Sequence, residues 1–348
     1  MRGLELKSIG DLVYREDLPK PKIGSKDVLL EVKAVGVCGS DFQRIFSSGA
    51  HKMPIILGHE FSGLIVETGS AVKNFKIGDR VTAAPLIPCG SCRWCKEGSF
   101  SLCDHYDYIG SRRNGAMAEY VSVPENNLLK LPQTVDFETA AMIEPAANAV
   151  HALWIGKIAA EDTVCICGAG PIGLLAVQVA KAKGAKKVFC IDMEDEKLDA
   201  AKALGADEII NTRNQDLAET LKALTAGEGV DLILEATGAP VVQNAAVEAL
   251  IKHGRLILLG FSNQDILFKA QIFEAILRKE LKIYGSWNSF SPNFPGEEWQ
   301  YILDLMEQGK LKTELLVSHK LDFNEGPIFF KGVQDKRIRH SKVIFVNS

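Results

Sequence analysis

The feature that most constrains the fold is a regular alternation of short apolar segments and helical segments between residues 163 and 285. The apolar segments are 164–167, 188–191, 209–210, 232–234, 255–259 and 281–285. Helical patterns at 171–183, 194–204, 215–225 and 241–252 separate them. Parallel strands that helices cover on both faces have continuous apolar sequences of this kind. The alternation therefore predicts an α/β fold with a doubly wound parallel sheet.

A glycine-rich turn follows the first of these strands and has the pattern G-x-G-x-x-G. Its glycines allow a tight turn, close approach of backbone to a pyrophosphate and close packing of helix on sheet. Asp192 ends the next strand, 24 residues after Gly168, where a carboxylate can accept hydrogen bonds from ribose hydroxyls. The candidate cofactor-binding residues are Gly168, Gly170, Pro171, Ile172, Gly173 and Asp192.

The choice of nicotinamide cofactor depends on charge near Asp192. A carboxylate there repels a 2′-phosphate, and residues 193–196 add three acidic side chains and no arginine. The sequence therefore favours NAD over NADP. The alternative is a glycine turn in an α/β protein that binds no cofactor.

Four of the eight cysteines are closely spaced in the pattern C-x2-C-x2-C-x7-C. They are Cys89, Cys92, Cys95 and Cys103. Four thiolates so close together repel one another without a cation, and the spacing fits a tetrahedral zinc site with no open position. Such a site is structural, and its binding free energy adds to the stability of the loop. An iron–sulfur cluster, disulfides and a nucleic-acid zinc knuckle remain as alternatives.

Composition excludes several other classes of function. The chain has 348 residues, 40 Lys+Arg and 44 Asp+Glu, a formal net charge of −4 that argues against nucleic-acid and membrane-surface partners. Residues 163–180 carry no charge, but their glycines and Pro171 indicate a strand, a turn and a helix rather than a membrane span. The first residues lack a signal-peptide pattern, so we expect a cytoplasmic protein whose cysteines are thiols or metal ligands.

The first 147 residues have a different character. Short strand patterns at 28–35, 61–68 and 80–84 are separated by turn signals, which predicts an irregular, mostly antiparallel β domain. From residue 287 the alternation of strands and helices stops. We expect a Pro/Gly loop, one helix near 297–309 and a final strand at 342–346.

Three separate segments suggest an open metal site, but their spacing does not bring them together. They contain Cys38, His59 and Glu144. Taken singly, a cysteine is usually a small buried hydrophobe, a histidine usually a hydrogen-bonded core residue, and Glu144 could cap the following helix.

The order of these motifs resembles the zinc-dependent medium-chain alcohol and polyol dehydrogenases along essentially the whole chain. The matching segments are 36–41, 58–63, 78–81, 89–103, 115–120, 144–145 and 168–173. The resemblance implies a GroES-like irregular β catalytic domain of residues 1–147 and 287–348, plus a Rossmann cofactor domain of residues 148–286. It also implies one catalytic and one structural Zn²⁺ per chain, NAD, and a homodimer or homotetramer.

The same resemblance implies roles for individual residues. Cys38, His59 and Glu144 correspond to ligands of the catalytic zinc, with Glu144 in place of the cysteine of other branches. Ser40 corresponds to the hydroxyl that takes the substrate proton, Asp41 to the acid that orients the histidine, and Glu60 to an exchangeable carboxylate beside it. Alcohol dehydrogenase is itself the standard example of a catalytic zinc with three protein ligands.

Segments near residues 44–51, 108–113 and 277–299 resemble family members that act on phosphorylated polyols. This implies oxidation of a secondary hydroxyl of a polyol phosphate. Sorbitol, arabinitol phosphate and threonine are alternative substrates. Two further alternatives are a zinc-free quinone-reductase relative and a non-enzymatic scaffold. The first would lack the Cys38/His59 pair and the four-cysteine segment 89–103, which we call the cysteine lobe. The second would not need these residues, so their presence argues against both.

A phosphate requires cationic donors, for which paired arginines suit the geometry. The candidate substrate residues are Arg112, Arg113, His51, Trp287 and Asn288, with Arg44 and Lys52 as further candidates. The alternative for Arg112 and Arg113 is a solvated surface turn.

Overall fold

The computed structural model describes residues 1–347, which form two compact units. The first unit comprises residues 1–144, 289–309 and 313–347, and the second comprises residues 145–288 and 310–312. The unit boundaries fall two or three residues from those expected at 147/148 and 286/287, and the grouping of 310–312 with the second unit was not expected. The catalytic and cofactor roles of the two units stay predictions.

The strands, in chain order, are β1 (Gly3–Ser8), β2 (Asp11–Arg15), β3 (Asp27–Gly36), β4 (Ile55–Ile56), β5 (Glu60–Thr68), β6 (Arg80–Ala83), β7 (Leu86–Ile87), β8 (Asp107–Tyr108), β9 (Tyr120–Pro124), β10 (Leu128–Lys130), β11 (Thr163–Cys167), β12 (Lys187–Asp192), β13 (Glu208–Asn211), β14 (Val230–Glu235), β15 (Leu250–Leu258), β16 (Lys282–Gly285), β17 (Val317–Leu321) and β18 (Lys342–Val346). The α-helices are α1 (Gly39–Gln43), α2 (Arg93–Lys96), α3 (Phe137–Ala140), α4 (Ile143–Ile155), α5 (Pro171–Ala182), α6 (Asp195–Ala203), α7 (Leu217–Leu224), α8 (Pro240–Ala249), α9 (Ala270–Arg278), α10 (Glu297–Glu307) and α11 (Gly326–Gln334).

The first unit is built on a seven-stranded sheet in the order β10-β6-β5-β3-β18-β17, with β9 also paired to β3. Its pairs are antiparallel except β17–β18, so the predicted mostly antiparallel β domain is confirmed. The long strand β3 is central because it pairs with β5, β9 and β18. Its apolar side chains, with Phe61 and Phe345 of the neighbouring strands, form the core of this unit.

The second unit contains a six-stranded parallel sheet in the order β13-β12-β11-β14-β15-β16. Strand order reverses at β11, from which the chain first builds outward to β13 and then to β16. Open sheets of this kind bind ligands at that reversal, outside the carboxyl ends of the strands. The predicted doubly wound sheet is confirmed.

The chain after residue 287 is more regular than expected. It contains β17 and α11 in addition to the expected helix and final strand. Helix α11 begins at Gly326-Pro327, which signals a turn in a sequence but here places proline in the first turn of a helix, where its missing N–H costs nothing. Strand β17 was missed because its alternation of apolar and polar residues is short. Helix α9 in the second unit was also missed.

The uncharged segment 163–180 forms β11 and the first part of α5, as expected. Across residues 1–347, no helix combines the length and the apolar character that crossing a membrane would require.

Candidate functional site

Cys38 is held at a sharp change of direction between a strand and a helix. It follows β3 and occupies the residue just before α1, in extended conformation. Its backbone N–H donates to Oδ2 of Asp41 at 3.0 Å, so the acid in the first helical turn fixes the cysteine in place. Carboxylates are favoured at this end of a helix because they accept from its unpaired N–H groups.

His59 and Glu60 reach Cys38 through the register of two antiparallel strands. Gly36, two residues before Cys38, pairs with Glu60 at the start of β5. As a result, ligand atoms of Cys38, His59 and Glu60 all lie within 4.8 Å of one another, with His59 and Glu60 buried. Residues about 20 positions apart thus form one cluster of donors suitable for zinc.

Asp41 lies behind the histidine. Its Oδ1 is 3.7 Å from Nδ1 of His59 and 3.5 Å from Nη1 of Arg44. Among the described residues, neither Asp41 Oδ1 nor His59 Nδ1 has a hydrogen-bond partner, and both atoms are buried. Metal-binding histidines commonly direct their second ring nitrogen toward a carboxylate, so this pair fits an orienting role for Asp41.

Lys342 lies beside the cluster and was not expected from the sequence. Its ammonium group pairs with Oε2 of Glu60, donates to the carbonyl of Val37 at 3.0 Å, and is buried with only 3% of its side chain exposed. In the sequence, the only sign of Lys342 is a lysine at the start of an apolar strand. That pattern is too common to indicate a site. The pair holds the Glu60 carboxylate beside the cluster and neutralises its charge.

Glu144 lies in the first turn of α4, is 4% exposed, and acts electrostatically on Cys38 and Tyr108. The set of atoms within 4.8 Å of one another contains Glu60 and does not include Glu144. The structure thus places three buried carboxylates, those of Asp41, Glu60 and Glu144, near Cys38. The ligand role implied for Glu144 stays a prediction.

The electrostatics of the cluster fit a cation. Burial, followed by the negative charges of Glu60 and Asp41, raises the pKa of the Cys38 thiol to about 12. Burial also raises the pKa of Tyr108, whose ring packs edge-on against His59 at 5.7 Å. A thiol, an imidazole and carboxylates form a donor set that suits zinc, and a bound cation would relieve the repulsion among their charges.

Ser40 is half-buried and sits in α1 beside the cluster. Its Oγ accepts a hydrogen bond of 2.6 Å from Nη1 of Arg44. The same guanidinium nitrogen therefore contacts both Ser40 and Asp41. The helix continues into a π-helical turn at Arg44–Ser48, a feature that occurs frequently at functional sites.

The four-cysteine lobe is a second candidate metal site. Its sulfur atoms all lie within 4.8 Å of one another, with Sγ–Sγ distances of 3.9 Å for Cys89–Cys95 and Cys92–Cys103. The backbone N–H groups of Ser91 and Cys92 lower the pKa of Cys89 to about 5, whereas burial raises that of Cys95 to about 12. All eight cysteines are free, so the disulfide alternative is not supported.

The glycine turn has the geometry of a dinucleotide loop. Gly168 has φ +101°, Gly170 precedes α5, and Pro171 is the first residue of that helix. A Cβ on Gly173 would lie 1.8 Å from the carbonyl oxygen of Gly168, so only glycine fits where helix meets loop. Ile172 lies in the first turn of α5.

Asp192 is fixed at the end of β12. Its Oδ2 accepts from the N–H of Ala169 at 2.8 Å, and its Oδ1 accepts from Met193 at 2.7 Å. It lines a cavity of about 520 Å³ within the second unit, together with Gly168, Gly170 and Glu194. Lys197, the basic residue of this lining, is paired with Glu194 at 2.6 Å, which offsets its charge.

The candidate phosphate residues differ from one another in their surroundings. Arg113 donates to Asp107 at 2.7 Å, and both side chains are exposed, which favours the surface-turn alternative for this residue. Arg112 stacks on the ring of Tyr106 at 4.5 Å. His51 is exposed. Partial burial, and then the positive charges of Arg112 and Arg44, lower the pKa of its imidazole.

Trp287 and Asn288 belong to the second unit. Trp287 is 56% exposed, and Asn288 has φ +55°, in the left-handed region. The Cys38 cluster belongs to the first unit, so the substrate role of Trp287 and Asn288 stays a prediction.

Comparison with known proteins identifies the family. Residues 24–133 match the model of the alcohol dehydrogenase GroES-like domain, and residues 171–308 match that of the zinc-binding dehydrogenases. The chain is 41% identical over 316 residues to galactitol 1-phosphate 5-dehydrogenase of Escherichia coli strain K12, covering 90% of each chain. It is 36% identical over 333 residues to D-arabitol-phosphate dehydrogenase of Enterococcus avium, covering 93% of this chain and 92% of that one.

A solved structure shows the same relationship. The crystal structure of galactitol-1-phosphate dehydrogenase from Escherichia coli matches with a TM-score of 0.95 and 38% identity, covering 100% of both chains. The chain therefore belongs to the zinc-binding medium-chain dehydrogenases, an oxidoreductase family with a GroES-like and a Rossmann domain. Zinc and a nicotinamide are the cofactors of this family.

The cysteine lobe yields a first testable prediction. Cys95→Ala should reduce bound zinc by one ion per chain and lower the Tm by several degrees, because zinc binding at a closed thiolate site contributes to folding. Metal analysis and calorimetry would measure both. Cys190→Ala, an equal truncation of a buried thiol in the second unit, should keep the full zinc content. Unchanged zinc in Cys95→Ala would contradict a structural site here.

The Lys342–Glu60 pair yields a second prediction. Lys342→Met should destabilise the protein by about 3–5 kcal/mol, since it leaves a buried carboxylate without its partner. Lys33→Met, which breaks the partly exposed Lys33–Glu31 pair, should cost about 0–1 kcal/mol. Thermal unfolding compares the two variants. Adding Glu60→Gln to Lys342→Met should recover stability, and equal Tm values for the two single variants would refute the pair's importance.

Proposed function

We propose that this chain catalyses the NAD-linked, zinc-dependent oxidation of a secondary hydroxyl of a phosphorylated polyol, with galactitol 1-phosphate to tagatose 6-phosphate as the leading candidate reaction. The observation that carries the proposal is the buried cluster of Cys38, His59 and Glu60, with Asp41 behind the histidine. The similarity to galactitol 1-phosphate 5-dehydrogenase and D-arabitol-phosphate dehydrogenase supports a phosphorylated substrate.

Cys38, His59 and Glu144 would hold the catalytic zinc, with Asp41 orienting the histidine. Zinc, when bound, acts as a Lewis acid that polarises the substrate hydroxyl. Glu60 would remain beside the metal rather than on it, because Lys342 already pairs with this carboxylate. Cys89, Cys92, Cys95 and Cys103 would hold the structural zinc.

Ser40 would accept the proton of the substrate hydroxyl while its own hydroxyl proton leaves toward solvent. Its half-buried position beside the cluster suits this transfer, which requires a hydrogen bond to the reacting group. Arg44 donates to Ser40 Oγ, which favours loss of the hydroxyl's own proton as the substrate proton arrives. The chain thereby supplies both the proton acceptor and its support from one helical segment.

The second unit would bind NAD and the first unit the substrate, as the expected domains 148–286 and 1–147 with 287–348 imply. The N-terminal turn of α5 directs N–H groups toward a pyrophosphate, and Asp192 would accept from the adenosine ribose. The nicotinamide supplies the hydride acceptor. Asp192 and Glu194 in the cavity lining support NAD rather than NADP.

A substrate and cofactor screen tests this proposal. With purified protein, kcat/KM for galactitol 1-phosphate with NAD should exceed the values for galactitol and sorbitol by roughly 100-fold, because charged hydrogen bonds to a phosphate are each worth about 1.5–3 kcal/mol. Replacing NAD with NADP should lower it by a similar factor. Higher activity on threonine or free sorbitol would identify one of the alternative functions and contradict this one.

We also propose that the chain forms a homodimer or homotetramer through the edge of the parallel sheet. Strand β16 is the edge strand, and Ile283 within it is 39% exposed. Nearby in sequence, Leu267 and Leu277 are 79% and 62% exposed. An unpaired strand edge with apolar side chains is suited to pairing with a second copy.

Sedimentation velocity at micromolar concentration should show a dimer or tetramer. Ile283→Lys should shift the chain toward monomer because it places charge on the paired edge. Ile77→Lys, at an equally apolar position that is 65% exposed in the first unit, should leave the oligomer intact. A monomeric wild-type protein would contradict the proposal.

A further inference from the structure

Two arginines near the Cys38 cluster have donors that the protein itself does not use. Arg44 contacts Ser40 and Asp41 through Nη1 alone, and its side chain is 21% exposed. Within residues 1–347, Nε and Nη2 of Arg44 have no partner. One edge of the guanidinium is thus engaged in the site, while the other edge is available to an anion.

Arg112 is held by stacking instead of by an acid. Its guanidinium lies 4.5 Å from the centre of the Tyr106 ring, and across the described chain it forms no hydrogen bond or ion pair. Tyr106 contacts Tyr108 at 6.1 Å, and Tyr108 packs against His59 at 5.7 Å. These rings connect the histidine of the candidate metal site to Arg112, and stacking leaves all guanidinium N–H groups of Arg112 available.

His51 links the two arginines in space. Its imidazole is within electrostatic range of both Arg112 and Arg44. Like Arg112, it has no hydrogen-bond partner in the described part of the chain. Arg44 lies against Ser40 and Asp41, and Arg112 lies at the end of the series of rings that begins at His59. Both arginines are thus placed around the Cys38 cluster, and cationic groups gathered around one site attract an anion.

We propose that Arg44, Arg112 and His51 form the site that binds the phosphate of the substrate, and that Arg113 is not part of it. This inference rests on the proposed function. Two guanidinium groups match the geometry of a phosphate, each through parallel N–H donors. Arg113 is excluded because its guanidinium is already paired through Nε with the carboxylate of Asp107, which offsets its charge.

The distances fit a six-carbon polyol phosphate oxidised four carbons from the phosphate-bearing carbon. In an extended chain of single bonds of about 1.5 Å, the reacting carbon lies roughly 7 Å from phosphorus. A hydroxyl hydrogen-bonded to Ser40 would lie no more than about 5.5 Å from Nη1 of Arg44, which is itself 2.6 Å from Ser40 Oγ. The free edge of Arg44 is thus within reach of the phosphate while the hydroxyl contacts Ser40.

Arg44 then has two roles in one reaction. Its Nη1 donates to Ser40, and its free edge binds the phosphate. The phosphate, which does not react, therefore holds Arg44 in place, and Arg44 in turn positions Ser40. Binding energy from a remote group is used in this way to orient the reacting centre. Free polyols would lose this support, which makes the phosphate a determinant of rate as well as of affinity.

The test compares two neighbouring arginines. The measured quantity is the ratio of kcat/KM for galactitol 1-phosphate to kcat/KM for galactitol. Arg112→Gln should lower this ratio by roughly 30-fold or more, since it removes charged hydrogen bonds to the phosphate. Arg113→Gln, the matched control, should leave the ratio within about threefold of wild type. A loss of the ratio in Arg113→Gln, or its retention in Arg112→Gln, would overturn the proposal.

A second pair of variants tests Arg44. Arg44→Gln should lower the ratio and also reduce kcat on galactitol, because support of Ser40 is lost with the phosphate contact. Compared with Arg44→Gln, Arg44→Lys should have a higher kcat on galactitol but a similarly low ratio. An ammonium group cannot donate to Ser40 and to the phosphate in the way the two edges of a guanidinium can. Inorganic phosphate should bind wild-type protein in calorimetry and bind Arg44→Gln and Arg112→Gln at least about tenfold more weakly.

These results separate the two proposals. If the wild-type protein oxidises no polyol phosphate, the proposed function is wrong. If the wild-type protein oxidises one, but Arg112→Gln retains both the ratio and the phosphate affinity, only the assignment of the phosphate site is wrong. Circular dichroism and zinc content identify a variant that fails to fold. In that case the ratio is measured with Arg44→Lys and Arg112→Lys, which keep the charge. A ratio equal to that of the wild type in both would contradict the phosphate site.

Discussion

Buried negative charge around Cys38 is the constraint on which the candidate site depends. Four groups that are anionic when ionised meet there, and two protein cations, Lys342 and Arg44, are placed against them. Removing unpaired charges from water is costly, so the remaining imbalance favours a bound dication. On our proposal, zinc bound here would complete the electrostatic balance of the first unit as well as act as a Lewis acid. Arg44 contributes to that balance and, on our proposal, to substrate recognition.

The sheet of the first unit brings the charged groups of the Cys38 cluster together. Strands β5, β3 and β18 are neighbours, and they carry Glu60, the approach to Cys38, and Lys342. A Cβ on Gly36 would lie 2.4 Å from Oε2 of Glu60 and 2.9 Å from Cε of Lys342, so glycine at this position makes room for the ion pair. Strands β3 and β18, far apart in the sequence, therefore meet at this cluster, and β18 contributes the ammonium group that pairs with Glu60.

The features that could be predicted from the sequence are those with local spacing. The cysteine lobe and the glycine turn each lie within 15 residues, so their patterns define their geometry before any tertiary contact is known. The meeting of Cys38 with His59 required the register of β3 with β5, which no local pattern specifies, and only family resemblance suggested it. Lys342 approaches from about 280 residues away. The surface-turn alternative for Arg113 was open from the sequence, but its partner Asp107 could not be named because the pair depends on how one turn folds.

Anomalous diffraction at the zinc edge, on crystals of the zinc-loaded protein, tests the central claim most directly. The account predicts two peaks per chain. One peak should lie among the four lobe sulfurs. The other should be bound by Cys38, His59 and Glu144, with Glu60 still paired to Lys342. A single peak in the lobe, or a second zinc bound by Glu60 with Lys342 displaced, would contradict the charge balance described above.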